Sequence, residues 1–99
     1  MGEKLFTDSK GRRDSIQILA DIITISQEPT GKTRIMRMAN VQYNMFQEYV
    51  EALLNMGFLE QNVERVKRNF TRERYQSTAR GMQWCKKVFD IYAQLRAQI

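Results

Sequence analysis

The stretch from Arg13 to Gln27 constrains this chain more than any other part of it. Ile16, Leu19, Ala20 and Ile23 recur at three- and four-residue intervals and make one face of a helix. Ile18, Ile22 and Ile25 make a second face. A helix that is apolar on two faces has to be covered on two sides. The chain has 99 residues, enough for one domain. A domain of that size buries roughly 60–65% of its unfolded surface, so its margin of stability is thin. The second cover must then be another helix or a partner subunit. The spacing predicts a helix from about Arg13 to Gln27, with Asp14 near the positive end of its dipole.

The rest of the chain reads as short elements in series. Glu28-Pro29-Thr30-Gly31 is a stop-and-turn signal, and Thr30 is placed to cap the next helix. That short helix, from about Lys32 to Ala39, turns Ile35 and Met38 inward. It sets Arg34 and Arg37 on another face. Asn40-Val41-Gln42 reads as a turn. A third helix runs from about Tyr43 to Met56. Phe46, Tyr49, Val50, Leu53 and Leu54 lie on it within an arc of about 140°. Asn44, Glu48, Glu51 and Asn55 lie opposite. Gly57 falls where a helix C-terminus takes a left-handed residue.

Beyond Gly57, Phe58-Leu59 and Tyr75-Gln76-Ser77 read as two short strands flanking a basic loop, Glu60 to Arg74. Val63, Val66 and Phe70 could extend the strands or pack at their base. Thr78 can cap a last helix of about Ala79 to Gln98, where Gly81 is a mild local cost. Cys85, Val88, Tyr92, Leu95 and Ile99 are spaced as a heptad seam. Trp84 with Ile91, and Met82 with Phe89, flank that seam. One side of this helix is expected on the domain and another on a second copy of the chain. Met36, Met38, Met45, Met56 and Met82 read as core or interface filling.

Composition closes off several functions. With one cysteine and no histidine, the chain offers no internal disulfide, no Cys/His zinc site and no histidine-based catalysis. Cys85 reads as a small buried hydrophobe, and a single cysteine fits a reducing, cytoplasmic setting. No apolar run approaches the ~18 residues of a membrane span. Residues 1–11 read as an N-terminal tail without the apolar core of a signal peptide. Sixteen Lys and Arg against eleven Asp and Glu leave a net charge of +5, which favours a polyanionic partner. The positive charge sits in blocks separated by acidic elements.

Helix, helix, helix, hairpin, helix is the order of a winged helix-turn-helix. The fold class expected is mainly α with a small β-hairpin (α+β), with residues 12–77 as the winged unit and 78–99 as a dimerisation helix. The residues also resemble a specific family. Arg12-Arg13-Asp14, Lys32-Thr33-Arg34-Ile35-Met36, Ala39-Asn40-Val41 with Tyr43, Tyr49-Val50 and Gly57-Phe58-Leu59 are similar to the archaeal winged-helix proteins founded on the Sulfolobus ten-kilodalton chromatin-associated proteins. Thr78-Ala79-Arg80-Gly81 resembles that family's step from the wing into the last helix. The likeness covers about residues 12–59 and 75–99. The basic stretch is longer, and the last helix shorter, than the likeness leads one to expect, and Gln42 stands where the family often has Ser. The resemblance implies DNA binding, an archaeal or archaeal-virus setting at the nucleoid, and a coiled-coil dimer through the C-terminal helices.

The residues allow a site on double-stranded DNA. The amides at the start of the second helix, with Lys32 and Thr33, could hold one phosphate, and Arg34 and Arg37 others. Arg65, Lys67, Arg68, Arg72 and Arg74 could track the backbone or a narrow minor groove. The plainer reading of both blocks is a solvated basic surface. The third helix has no Lys or Arg. It could still read bases through its first turn, where Gln42, Asn44 and Gln47 can meet base edges and Glu48 could accept from cytosine. Tyr43 is equally suited to touching phosphate or to packing. Arg12 and Arg13 could hold phosphate or pair with Asp14 and Glu3. A homodimer interface is expected from Ile18, Ile22, Trp84, Cys85, Val88, Ile91, Tyr92, Leu95 and Ile99. The function expected is a dimeric DNA-binding regulator or architectural protein, with no cofactor and no metal. The alternative is a winged-helix module that binds protein in a larger assembly; RNA binding and enzymatic activity rank below both.

Overall fold

The computed structural model describes residues 13–98, so the tail 1–11, Arg12 and Ile99 lie outside the described residues. Four helices and one hairpin follow in the order α1 (Ser15–Ile25), α2 (Lys32–Ala39), α3 (Tyr43–Asn55), β1 (Leu59–Lys67), β2 (Phe70–Ser77) and α4 (Ala79–Gln98).

Helix α1 is shorter than its periodicity suggests because its ends are capped. The Asp14 carboxylate accepts from the Gln17 amide at 2.9 Å, and the Gln17 side chain accepts from the Asp14 amide at 2.9 Å. That reciprocal pair is a capping box. The Ser26 amide closes the other end on the carbonyls of Ile22 and Ile23. Residues 20–26 are all buried, which makes α1 the central helix of the domain. Both of its apolar faces are covered from within the chain, by α4 on one side and by α2, α3 and β2 around the rest. Ile18 and Ile22, expected at a dimer interface, are 7% and 0% exposed inside this core. Neither has surface left to give a partner. Ile16 is the member of the predicted face that stays exposed.

Arg13 ties α1 to the end of α2. Its guanidinium meets Asp21 at 2.5 Å and donates to the Ala39 carbonyl, also at 2.5 Å. A cation at the last carbonyls of α2 also meets the negative end of that helix. Phosphate and Asp14, two of the partners expected for Arg13, give way to this internal pair, and the third, Glu3, lies outside the described residues.

Thr30 does not cap α2. Its hydroxyl donates to the Glu28 carbonyl at 2.6 Å, and its backbone exchanges two hydrogen bonds with Tyr75, at 2.9 and 2.8 Å. Thr30 is thus a one-residue third strand on the β2 edge, and Gly31 stands at the N-cap of α2 without a side-chain bond. Helix α3 ends in a Schellman motif. Gly57 has φ +76°, its amide bonds Leu54, and the Phe58 amide bonds Leu53.

The expected basic loop is instead a ribbon. β1 and β2 pair antiparallel from Leu59 opposite Ser77 to Arg65 opposite Thr71. A register shift then sets Lys67 opposite Phe70, and Arg68-Asn69 make the turn. Residues 60–73 are exposed on both strands, so a nine-residue β1 projects about 30 Å with solvent on both faces. Only its base is anchored. Leu59 and Tyr75 are buried there, and the Tyr75 ring meets Phe46 edge-on at 6.0 Å.

Helix α4 spends its seam on the domain. Cys85 and Val88 are 4% and 6% exposed, within the core around Ile22, Ile23, Ile35, Phe46 and Leu53. The Trp84 ring stacks on Phe58 at 5.2 Å, and the Tyr92 hydroxyl donates to Asp14 at 2.5 Å. Of the expected interface, Cys85 and Val88 are therefore enclosed in the monomer, and Trp84 and Tyr92 are engaged by it. Ile91 and Leu95, each 54% exposed, remain open. Met36, Met38 and Met82 pack against the core, whereas Met45 and Met56 are exposed.

Candidate nucleic-acid interface

The bridge between Thr30 and Tyr75 fixes the start of α2 beside the inner half of β2. Lys32, Thr33 and Arg34 face Val63, Thr71, Arg72 and Glu73 across an open groove of about 610 Å³. Three cations from two elements therefore converge on one concavity that also holds the free amides at the start of α2. Such a groove can seat an anionic oxygen by charge and by N–H donation together.

Lys32 also joins this groove to α3. Its ammonium sits 5.2 Å from the centre of the Tyr43 ring, and the Tyr43 hydroxyl accepts from the Gln47 amide at 2.8 Å. Tyr43 thus links the first turns of the two helices. Gln42 and Asn44 are exposed at the same end of α3. Arg37 is exposed further along α2, outside the groove.

A second groove, at the α3–wing junction, shares Glu73 with the first and has no cation among its lining residues. Gln47, Glu51, Gln61, Glu73 and Tyr75 are among the residues around this groove, of about 410 Å³. Glu48 is exposed on the same helix. Polyanion is favoured at the start of α2 and α3 and disfavoured along the later turns of α3.

On the wing, Glu64 stands opposite Arg72 and accepts from Arg72 Nε at 3.1 Å and from Arg74 Nε at 2.9 Å. These bonds, Arg72 first, hold the Glu64 carboxyl below the usual carboxylate range. Arg74 also donates to the Pro29 carbonyl at 3.2 Å. It braces the wing against the turn before α2. Arg65, Lys67 and Arg68 are exposed further out and, like Lys32, Arg34 and Arg37, make no ion pair among the described residues. The pairing of Glu64 with Arg72 and Arg74 has no signature in the sequence, because it appears only once the ribbon register is known.

Among the described residues, no helix is long and apolar enough to cross a membrane, and no group of three His, Cys, Asp or Glu could hold a metal ion.

Three helices, a returning hairpin and a one-residue edge strand before α2 define a winged helix-turn-helix. The chain belongs to the winged helix-turn-helix family, whose profile matches residues 12–95. An uncharacterised protein of Methanocaldococcus jannaschii is 24% identical over 82 residues, covering 82% of this chain and 75% of the relative. Among solved structures, Sso10a-2, a DNA-binding protein from Sulfolobus solfataricus, superposes with a TM-score of 0.67 at 24% identity, over 87% of this chain and 88% of that one. The similarity to the Sulfolobus proteins expected from the motifs is thus found in the fold. The smu.1704 protein of Streptococcus mutans gives a TM-score of 0.73 at 14% identity, covering 84% of this chain and 82% of that one. A PadR-like transcription factor from Bacteroides fragilis gives 0.68 at 14%, covering 84% and 85%.

Proposed function

We propose that the protein binds double-stranded DNA as a homodimer, acting as a transcription regulator or a chromatin-type architectural protein of the archaeal nucleoid. The observation that carries this is the convergence of Lys32, Arg34 and Arg72 on one groove, with the amide-bearing first turn of α3 joined to it through Tyr43 and Gln47. Two of the similar solved structures support it by their own descriptions, one a DNA-binding protein and the other a transcription factor.

In this reading the groove cations and Thr33 fix the register on the phosphates, and Arg37 adds a contact at its margin. The first turn of α3 approaches the major groove, where Gln42, Asn44 and Gln47 meet base edges. Glu48 lies next along the helix, and Glu51 stays outside, where it avoids the phosphates. Arg65, Lys67 and Arg68 follow the backbone or a minor groove, with Arg74 as a brace. The dimer forms on the outer half of α4, through Ile91, Leu95 and the following Ile99. Two readers on a two-fold axis favour a pseudo-palindromic site.

The test is binding of the full chain to a duplex across a salt series. With 6–10 phosphate contacts, affinity falls by about 10³–10⁵ between 50 and 200 mM salt. Replacing Lys32 or Arg34 by Ala lowers the slope by about one each. A flat salt response, or no duplex binding at low salt, overturns the reading. Selection from random duplexes then separates a regulator, which enriches a two-fold site, from an architectural protein, which enriches none.

A further inference from the structure

The outer end of the wing has a composition the phosphate reading does not explain. From Arg65 to Arg72 the sequence is RVKRNFTR, with four cations and no acid. Within it Phe70 is 55% exposed and Val66 41% exposed. Neither belongs to the core or packs against it. Val66 falls at the register shift, and Phe70 closes the two-residue turn opposite Lys67. Side chains alternate along a strand, so Phe70 shares one face of β2 with Arg72 and Arg74. The leading edge of the ribbon is therefore an aromatic ring and an aliphatic side chain inside a cationic collar.

A surface of that kind matches a partner that is anionic at its rim and apolar within. A duplex is built so, with stacked bases between two rows of phosphates. Apolar wedges inserted from the minor groove unstack a base step and kink the helix by about 20–90°. Resting on the reading that this chain binds duplex DNA, we infer that Phe70, backed by Val66, is such a wedge. It enters between two base pairs while Lys67, Arg68 and Arg72 hold the flanking phosphates. The projecting ribbon, free on both faces from residue 60 to 73, gives the tip the reach to do so.

The experiment follows one duplex by two signals. End-to-end fluorescence transfer reports bending, and 2-aminopurine along the duplex reports unstacking. The wild-type chain is expected to bend the duplex and to raise 2-aminopurine fluorescence at one or a few steps. Phe70→Ala abolishes both signals. Because unstacking by the wedge largely offsets its own contacts, affinity falls by no more than about tenfold. Phe70→Leu, which keeps an apolar wedge, restores bending. Arg68→Ala lowers the salt slope by about one and leaves the bend. Both side chains are exposed, and circular dichroism checks that each of the three variants is folded. Tight binding to a straight, fully stacked duplex overturns the wedge and leaves DNA binding standing. No duplex binding at low salt overturns both. Phe70-dependent sedimentation with phosphatidylserine vesicles, beside a straight duplex, assigns the tip to a lipid surface and overturns the wedge.

Discussion

A Cβ placed on Gly81 would lie 2.2 Å from the carbonyl oxygen of Phe58. The first turn of α4 thus rests on the backbone where α3 hands over to β1. Thr78 fixes the same contact: its amide bonds the Phe58 carbonyl at 3.1 Å, and its hydroxyl donates to the Gly57 carbonyl at 2.7 Å and accepts from the Gly81 amide at 3.0 Å. In an isolated helix, Gly to Ala gains up to ~1 kcal/mol. Here the added methyl meets backbone that cannot swing aside. Gly81→Ala is expected to destabilise the fold by about 2–3 kcal/mol, lowering Tm by roughly 10–20 °C. Thermal unfolding followed by circular dichroism checks it, and an unchanged or raised Tm refutes the packing described.

That glycine marks where sequence patterning stops being informative. Periodicity located α2 and α4 at their observed bounds, because each carries an apolar stripe and a break at its end. It does not say which neighbour covers a stripe. Cys85 and Val88 therefore read as a dimer seam although α1 covers them, and Gly81 read as a helix defect although it is a contact point. The hairpin was legible, but the length of its strands was hidden for a different reason. Residues 60–73 are solvated on both faces, so no period-two apolar signal exists. Its turn, Arg68-Asn69, has no glycine, and neither residue takes a positive φ. The Asn-Gly type of hairpin signal is accordingly missing. The candidate site was legible as residue types, since Lys32, Arg34 and Arg72 could be named. Their convergence depends on the Thr30–Tyr75 bridge, a long-range contact without a local signature.

Arg13 and Asp21 form a buried ion pair, with side chains 13% and 0% exposed. Removing Arg13 takes away the guanidinium that meets a fully buried carboxylate at 2.5 Å. Arg13→Ala is expected to cost about 3 kcal/mol. It also releases the Ala39 carbonyl at the end of α2. Urea unfolding should show a lower midpoint at unchanged slope. A double-mutant cycle with Asp21→Asn should show strong coupling, and additive effects would deny the pair its role.

Glu64 neutralises part of the wing by holding Arg72 and Arg74. If phosphates are the partners of the wing, Glu64→Gln frees the Arg72 guanidinium for them. Duplex affinity should rise, by about three- to tenfold at low salt, with a steeper salt slope. A fall in affinity would mean that Glu64 acts by positioning the arginines. Between pH 5 and 8 the native carboxylate, held low by the two arginines, stays ionised, so protonation of Glu64 adds no pH dependence in that range.

Burial pushes the Cys85 thiol up, the nearby Asp21 carboxylate adds to this, and the Thr24 hydroxyl partly opposes it. Tyr75 is raised as well, first by burial and then by Glu73. Both groups keep their protons to higher pH when folded than when unfolded. Their contribution is fully present below the unfolded values, and it is lost as pH rises through the folded ones. Tm should therefore hold from pH 7 to about 8 and decline from about pH 9 upward. Cys85→Ala, whatever its effect at pH 7, should flatten the first part of that decline. An identical slope in the variant would show that another group is responsible. For the same reason the thiol should react slowly with a disulfide reagent at pH 7.5, and faster in urea.

Ile91 and Leu95 lie one turn apart on α4 and are each 54% exposed. They continue past the point where Cys85 and Val88 leave the surface for the core. With about half of each side chain in water, joining them to a second copy contributes on the order of 1 kcal/mol per residue from area alone. A symmetric contact counts every residue twice. Ile91→Glu with Leu95→Glu should place four carboxylates in such an interface and convert a dimer to a monomer, without unfolding the domain, because neither residue is in its core. Light scattering at tens of micromolar gives the mass, and circular dichroism confirms the fold. On duplex DNA the monomeric variant should lose preference for two-fold sites and bind each half-site more weakly, since two linked heads gain from effective concentration. A wild-type chain that is already monomeric at these concentrations would remove the dimer from the proposal and leave the single basic groove to account for binding.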